Sequence, residues 1–481
     1  MNIYLLRRDT SKSLHVSFPR LWSRSRNAPI LHDPLHARIS AIHVMPNSAL
    51  LSASIQYGLV ARSFPFKGNV LKGYLNATGV PPGLSYGNPS TEPTPNVSVC
   101  ILASNGTTAK IIWGRRDGSV SIVSHPHTMS GTRAPVRIHT SLVHQEHEDA
   151  VLDGTWAANG DAFVTAGADG RVKVWTTEPF RCAWTSERHL LGLETDTIVR
   201  VVEDLDNGLV VAASGSGDII VLSGFDTSLG PVDAPPPNIH KFCISTRELS
   251  KADVGLIQTQ QSVDILSLLP QVMSSTRLSV LVCRVDSAHF YRCTVDLRSK
   301  QVTAKVFGNS AFGSIRCIQP AFSNDPAEPD FVIAGTQLGF ISIYDWDATS
   351  LSSDALLGSR HADIFADAHV TSLAVNAFVI AAGSARGAIR VLDLLTLETL
   401  RSIAAPRNSD VGQIELIGEA LVASVGSEVL AWSSGRFIPG GKDTLKIKGK
   451  GKQQSHKKWF SKFLGATLDI ANSHTLQSKW N

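Results

Sequence analysis

Three histidines, His139, His144 and His147, crowd the same short stretch as Glu146, Glu148 and Asp149. Imidazoles among carboxylates are the ingredients of a metal site, but the spacing here is not that of a zinc-binding helix. Gly440-Gly441-Lys442-Asp443 resembles the end of a phosphate-binding loop. Such a loop needs a first Gly where Arg436 stands, and a Ser or Thr for magnesium where Asp443 stands. The sequence has no nucleophile elbow of the G-x-S-x-G kind, no Gly-rich dinucleotide fingerprint after a strand, and no carboxylate pair singled out by spacing. The expectation is a protein with no catalytic residues, no metal, no cofactor and no small-molecule substrate.

The C-terminal stretch carries a different chemistry. Lys442, Lys446, Lys448, Lys450 and Lys452 alternate with small or apolar residues, and Lys457-Lys458 lead into Trp459, Phe460, Phe463 and Leu464. That spacing sets the large apolar groups on one side of a short amphipathic helix, with Lys462 nearby. Such a tail suits an anionic partner, RNA or an acidic lipid surface. It suits nuclear import, an acidic protein or plain solvation as well.

Charge is unevenly spread. Residues 442–481 carry nine Lys against Asp443 and Asp469, and residues 1–38 carry seven Lys or Arg against Asp9 and Asp33. Taking those +7 and +5 from the overall +4 leaves −8 for residues 39–441. A pI of about 8.7 therefore reports basic ends on an acidic body, which disfavours a nucleic-acid-binding core. The six cysteines form no CxxC pair and read as reduced, small core residues of an intracellular protein, in cytoplasm or nucleus. The N-terminal apolar stretch is too short for a secretory signal, while its Arg and Ser content leaves a mitochondrial transit peptide open.

The elements that must position any site are strands. A composition of 43% hydrophobic and 18% charged residues is that of a globular chain. No run of eighteen apolar residues is present to cross a membrane as a helix. A unit recurs in which a polar turn reaches Gly, and the residues two and four places on are apolar. After Gly118 stand Val120 and Ile122; after Gly170, Val172 and Val174; after Gly217, Ile219 and Val221; after Gly339, Ile341 and Ile343; after Gly387, Ile389 and Val391. Gly58 with Val60 is a weaker copy. Period-two alternation marks strands with one buried face, and an apolar run ahead of each Gly makes a hairpin. Hairpins of this kind need neighbours to pack on, and copies every ~40–70 residues suit four-stranded blades.

Residues 147–175, HEDAVLDGTWAANGDAFVTAGADGRVKVW, resemble a WD-repeat from end to end. The resemblance implies a structural hydrogen-bond tetrad of His147, Thr165, Asp169 and Trp175. The other copies are degenerate. Tyr57, Asp117, Ser216, Leu338 and Arg386 stand at the Asp169 position, and Ser63, Val123, Leu222, Tyr344 and Leu392 at the Trp175 position. The literal Trp346-Asp347 falls two residues late. Weaker copies surround Asp286 and end at Trp432.

The expected architecture is all-β: one propeller of seven or eight blades over residues 38–440, a basic segment over 1–37, and the Lys-rich tail over 441–481. Seven applies if the stretch around Asp286 is an insertion. Lys67–Asn96 and Phe225–Gln260, the latter with Pro235-Pro236-Pro237, read as surface loops. The expected function is a non-catalytic scaffold that binds proteins or peptides on its faces. Within the family, the chain resembles the propeller part of a fungal-type F-box/WD-repeat substrate receptor of a ubiquitin ligase; the F-box itself is not recognisable in residues 1–37, where the stretch around Leu21-Trp22 matches its trailing edge alone. The alternative is an RNA- or ribosome-assembly-associated protein that binds through the tail.

Overall fold

A computed structural model describes residues 22–23, 25, 27–67, 70–77, 96–125, 137–158, 160–187, 196–225, 239–245, 265–274, 277–323, 329–349, 355–405 and 408–434. The chain divides into Met1–Gly440 and Gly441–Asn481, and the second unit lies outside the described residues.

The described strands form eight antiparallel four-stranded sheets, each a meander, arranged as the blades of a propeller. Blade 1 comprises Ala41–Val44, Leu50–Ser54, Leu59–Phe64 and Val70–Asn76; blade 2 comprises Val97–Asn105, Thr108–Arg115, Val120–His125 and Arg137–Thr140. Blade 3 comprises Val151–Trp156, Ala162–Gly167, Val172–Thr177 and Phe180–Thr185; blade 4 comprises Ile198–Asp204, Leu209–Ser214, Ile219–Ser223 and His240–Ile244. Blade 5 comprises Ile265–Ser274, Arg277–Arg284, His289–Asp296 and Val302–Gly308; blade 6 comprises Ile315–Ala321, Phe331–Thr336, Phe340–Asp345 and Arg360–Asp363. Blade 7 comprises Val370–Val375, Val379–Ser384, Ala388–Asp393 and Thr399–Ala404. Blade 8 takes Val411–Ile417, Ala420–Val425 and Glu428–Ser433 from the C-terminal side and Ile30–His32 from the N-terminal side. The stretch around Asp286 is thus a blade, and the count is eight.

The core is distributed, not central. Eight apolar clusters each lie between two adjacent blades: Ile112, Val120, Phe163 and Trp175 join blades 2 and 3, and Val210, Val164, Ala212 and Leu222 join 3 and 4. The second strands, sandwiched on both faces, are buried over nearly their whole length, as in Leu209–Ser214, and the third strands over most of theirs, as in Phe340–Asp345. They therefore read as near-continuous runs of apolar and small residues, as in LVVAAS, VIAAGS and ALVASV. First strands pack on first strands around the ring, Val411–Ile417 returning to Ala41–Val44. Pro270 and Pro320 are both in first strands, where the edge facing the axis is unpaired and no amide is missed. In blades 2 to 8 the pairing of the first strand shifts by one at its second residue. Such a bulge bends the strand where it enters the ring. Two bulge hydroxyls, Ser98 Oγ and Thr371 Oγ1, donate to the carbonyls of Val151 and Val411, which open the next blade, at 2.6 and 2.7 Å.

Three sequence expectations about boundaries change. The propeller begins before residue 38, since Ile30–His32 pairs with Val429–Ala431. Upstream of it, Trp22 is fully buried and stacks on Trp432 with ring centroids 4.6 Å apart. Arg401 fixes this strap by donating to the carbonyls of Ser25 (2.6 Å) and Asn27 (2.8 Å) while lying over the Trp432 ring. The two stretches read as loops each contain a fourth strand, Val70–Asn76 and His240–Ile244, and Pro235-Pro236-Pro237 lies outside the described residues.

Candidate functional site

In a meander the connection between blades and the turn between second and third strands emerge on the same face, here called the turn face. In blades 2, 3, 4, 6 and 7 that turn has one geometry, with the amide of its Gly donating back to the residue three before it. The Gly has a positive φ each time: Gly118, Gly170, Gly217, Gly339 and Gly387. At Gly118 and Gly339 close approach adds a second requirement. A Cβ would fall 2.0 Å from the His147 carbonyl oxygen and 1.8 Å from that of Phe365, in the connections to the next blade.

Blade 3 brings His147, Thr165, Asp169 and Trp175 together in one directed chain. Trp175 Nε1 donates to Thr165 Oγ1 (2.8 Å), and Thr165 Oγ1 lies 2.9 Å from His147 Nε2. His147 Nδ1 lies 3.0 and 3.1 Å from the two Asp169 oxygens, which also accept from the amides of Glu148 and Arg171. These bonds fit one tautomer, a neutral imidazole that donates from Nδ1 and accepts the Thr165 hydroxyl at Nε2. Burial holds the His147 pKa below its ordinary value, so the neutral form is favoured. Burial alone would raise Asp169; the His147, Glu148 and Arg171 bonds outweigh it and hold the carboxyl low. The chain ends satisfied at every atom, and its chemistry is that of a structural clamp.

The degenerate blades explain themselves at the same positions. Where Thr165 stands in blade 3, blades 4, 6 and 7 have Ala212, Ala334 and Ala382. At the Trp175 position they bury Leu222, Tyr344 and Leu392. Blades 4 and 7, with neither the hydroxyl nor the indole, need no relay. Blade 2 exchanges the sizes: Trp113 fills the Thr165 position and Val123 the Trp175 position, leaving Trp113 Nε1 without a partner among the described residues. The outer end of the clamp survives in altered chemistry. Asn96 Nδ2 donates to Asp117 (2.7 Å), Asp196 accepts from the amide and hydroxyl of Ser216 (3.0 and 2.7 Å), and Arg386 pairs with Asp367.

The connection from blade 2 to blade 3 holds the three histidines of the imagined metal site apart. His147 is buried in the clamp, His144 is exposed, and His139, on Arg137–Thr140, stacks against Phe180. Among the described residues no group of three or more His, Cys, Asp or Glu could hold a metal ion. The same connection instead presents Leu142 and Val143, 58% and 85% exposed, beside exposed Glu148 and Asp149.

Sequence reasoning missed two further polar assemblies. Buried Arg292 of blade 5 donates to the Trp346 carbonyl (2.6 Å) and Asp347 (2.8 Å) and covers the Trp346 ring, whose Nε1 donates to Gln271 (2.6 Å). The literal Trp-Asp pair thus bolts blade 5 to blade 6 on the face opposite the turns. At the ring's closure, Glu415 Oε2 accepts from the Val44 amide (2.9 Å) and Gln413 exchanges bonds with Ile42 (3.0 and 3.1 Å). Burial pushes the Glu415 carboxyl up to about 7, against the pull of the Val44 amide; Glu203 in blade 4 rises to about 7 for the same reason. The six thiols are free; Cys243, on His240–Ile244, is exposed and is not the core residue expected. Lys446, Lys448, Lys450, Lys452, Lys457, Lys458, Trp459 and Phe463 lie outside the described residues.

No protein-family model matches the sequence, and no curated protein matches it. Solved structures do. The computationally designed Ika8 protein superposes with a TM-score of 0.54 at 15% identity, covering 85% of this chain and 100% of its own. Sqt1 of Saccharomyces cerevisiae superposes with a TM-score of 0.56 at 13% identity, covering 85% of this chain and 99% of its own. At such identities the likeness is one of fold. The likeness supports the fold alone, a propeller of eight four-stranded blades.

Proposed function

We propose that the chain is a non-catalytic scaffold that holds protein partners on its turn face. The observation that carries this reading is the charge of that face. Around blades 2 to 4 the described connections and turns present Asp117, Glu146, Glu148, Asp149, Glu187, Asp196 and Asp218, against Arg116 and Arg171. Arg171 pairs with Glu148 at 3.0 Å, which leaves six carboxylates against Arg116. The polar side chains that come together elsewhere are spent on holding blades to one another, so the ring offers partners a fixed shape and an acidic potential. Basic polypeptides fit such a surface, and charge steers their encounter.

Of the two finer readings, an RNA- or ribosome-assembly role is the better supported. It needs a basic protein on the acidic ring and an anion on the Lys-rich tail, and the opposed charges of ring and tail suit both. The F-box reading draws nothing from residues 22–37, where Trp22, Leu35 and Ala37 are buried among the blades. Affinity purification of the full chain with identification of co-purifying proteins tests the proposal. Basic proteins or ribosomal precursors released by salt are expected. Turnover of a small molecule, abolished by one polar substitution in the described ring, would overturn it.

A further inference from the structure

Resting on the scaffold reading, we propose a specific docking line on the turn face for an extended, basic segment with two apolar anchors. The line is the connection from Thr140 to Val151. It runs from the outermost strand of blade 2 to the innermost strand of blade 3, and so crosses the face radially. Its residues come in an order that a ligand can read. Leu142 and Val143 stand exposed at the rim, Glu148 and Asp149 are exposed along the way, and Leu152, 37% exposed, stands at the inner end on the bulge of the first strand.

The connection is held rigid at many points. Ser141 exchanges bonds with Val120, its amide donating to the carbonyl (2.8 Å) and its Oγ accepting the Val120 amide (3.0 Å). Gln145 N donates to the Leu142 carbonyl (2.7 Å), and His147 N to that of Gly118 (3.1 Å). Glu148 N donates to Asp169, and the Ala168 amide to the Ala150 carbonyl (2.8 Å). The clamp of His147 and Asp169 therefore acts beyond blade 3: it fixes the loop that carries the exposed groups. A preformed surface of this kind loses little entropy on binding.

Geometry sets the ligand. Four strands spaced ~4.8 Å apart put the outermost and innermost about 14 Å from one another, the reach of roughly five extended residues. One apolar side chain then covers Leu142 and Val143, Lys or Arg meets Glu148 and Asp149, and a second apolar side chain covers Leu152. Nucleic acid and acidic lipid are repelled by the same carboxylates.

The probe is a fluorescent seven-residue peptide with two leucines four positions apart and lysines between them, titrated against the full chain. Its control carries glutamates in place of the lysines. Replacing Leu142 and Val143 together by Ser should weaken the lysine peptide about tenfold or more, as for loss of a central anchor. Replacing Glu148 by Gln and Asp149 by Asn should weaken it comparably and flatten its salt dependence. Both pairs are exposed, and the surface ion pair that Glu148 makes with Arg171 contributes little, so a Tm close to the wild-type value is expected for each variant. No binding by the lysine peptide, equal binding by the glutamate control, or undiminished binding by both variants would overturn the proposal. Failure of the scaffold reading has a different signature: affinity purification of the full chain then yields no partner.

Discussion

Asp169 is the residue on which the blade 3 clamp turns. Replacing it by Ala strands the His147 Nδ1–H and two amides in a buried turn, and the cost should be about 1–3 kcal/mol in thermal or denaturant unfolding. Trp175→Ala should cost more, about 3–5 kcal/mol, since the ring is fully buried in mutual contact with Phe163 and Phe180. Thr165→Ala orphans Trp175 Nε1 and His147 Nε2, yet Ala with Leu is the combination at work in blades 4 and 7. Thr165→Ala with Trp175→Leu should therefore cost less than the sum of the two singles, a non-additivity that a double-mutant cycle reads directly. Glu415 gives a pH signature. Its folded value of about 7 lies above its ordinary 4.5, so the stability it contributes is present below about 4.5 and lost as pH rises through about 7. His147, lowered by burial, acts in the opposite sense, its contribution falling away as pH drops below 6.5. Glu415→Gln should shrink the decline in Tm between pH 5 and 8 in the wild type, with Glu203, also raised to about 7, supplying the remainder; an unchanged decline would show that Glu415 is not among its causes. The clamp was legible in the sequence because an imidazole, a hydroxyl, a carboxylate and an indole at those spacings have few other uses. Glu415 was not, since nothing local distinguishes it: its partner amide belongs to Val44, adjacent in the ring but 371 residues away in sequence.

At the scale of elements, the five turns with Gly118, Gly170, Gly217, Gly339 and Gly387 are the five copies that the sequence shows clearly. One shared geometry leaves one shared pattern. Blade 8 turns differently, through Gly426 between Val425 and Glu428, and blade 5 turns through Asp286 at a φ of 58° with no Gly, so both copies look weak although both blades are complete. Fourth strands were the hardest to see. Val70–Asn76 and His240–Ile244 are outer-edge strands with one neighbour, and Ile30–His32 is too short to carry a period and pairs with a segment about four hundred residues away. Gly339→Ala should destabilise by on the order of 2–4 kcal/mol, because φ is +81° and the Cβ meets the Phe365 carbonyl. Gly106→Ala shares the positive φ but meets nothing within 4 Å, and should cost only about 1–2 kcal/mol. Equal losses in a melting experiment would mean that close packing of turn on connection is not what the glycine serves.

At the scale of the molecule, a ring with eight inter-blade cores and no central one is only as firm as its closure. Trp22→Ala removes the ring stacked on Trp432 and loosens the strap that carries Ile30–His32. Hydrogen exchange should then accelerate in Glu428–Ser433 and in the junction of blades 8 and 1 ahead of the rest; acceleration confined to residues 22–32 would mean the strap is ornament. Fold class was legible from period-two alternation around Gly, and the acidic body from charge alone. Which face carries the acids was not legible, because it depends on the blades' order and on connections whose direction only the meander fixes. The acidic turn face is the surface proposed to hold a partner. Zero-length carboxyl-to-amine cross-linking of the affinity-purified complex tests it most directly. Cross-links from partner lysines to Asp117, Glu148, Asp149 and Glu187 are predicted, whereas cross-links confined to Asp161, Asp206 and Asp347 on the opposite face would contradict it.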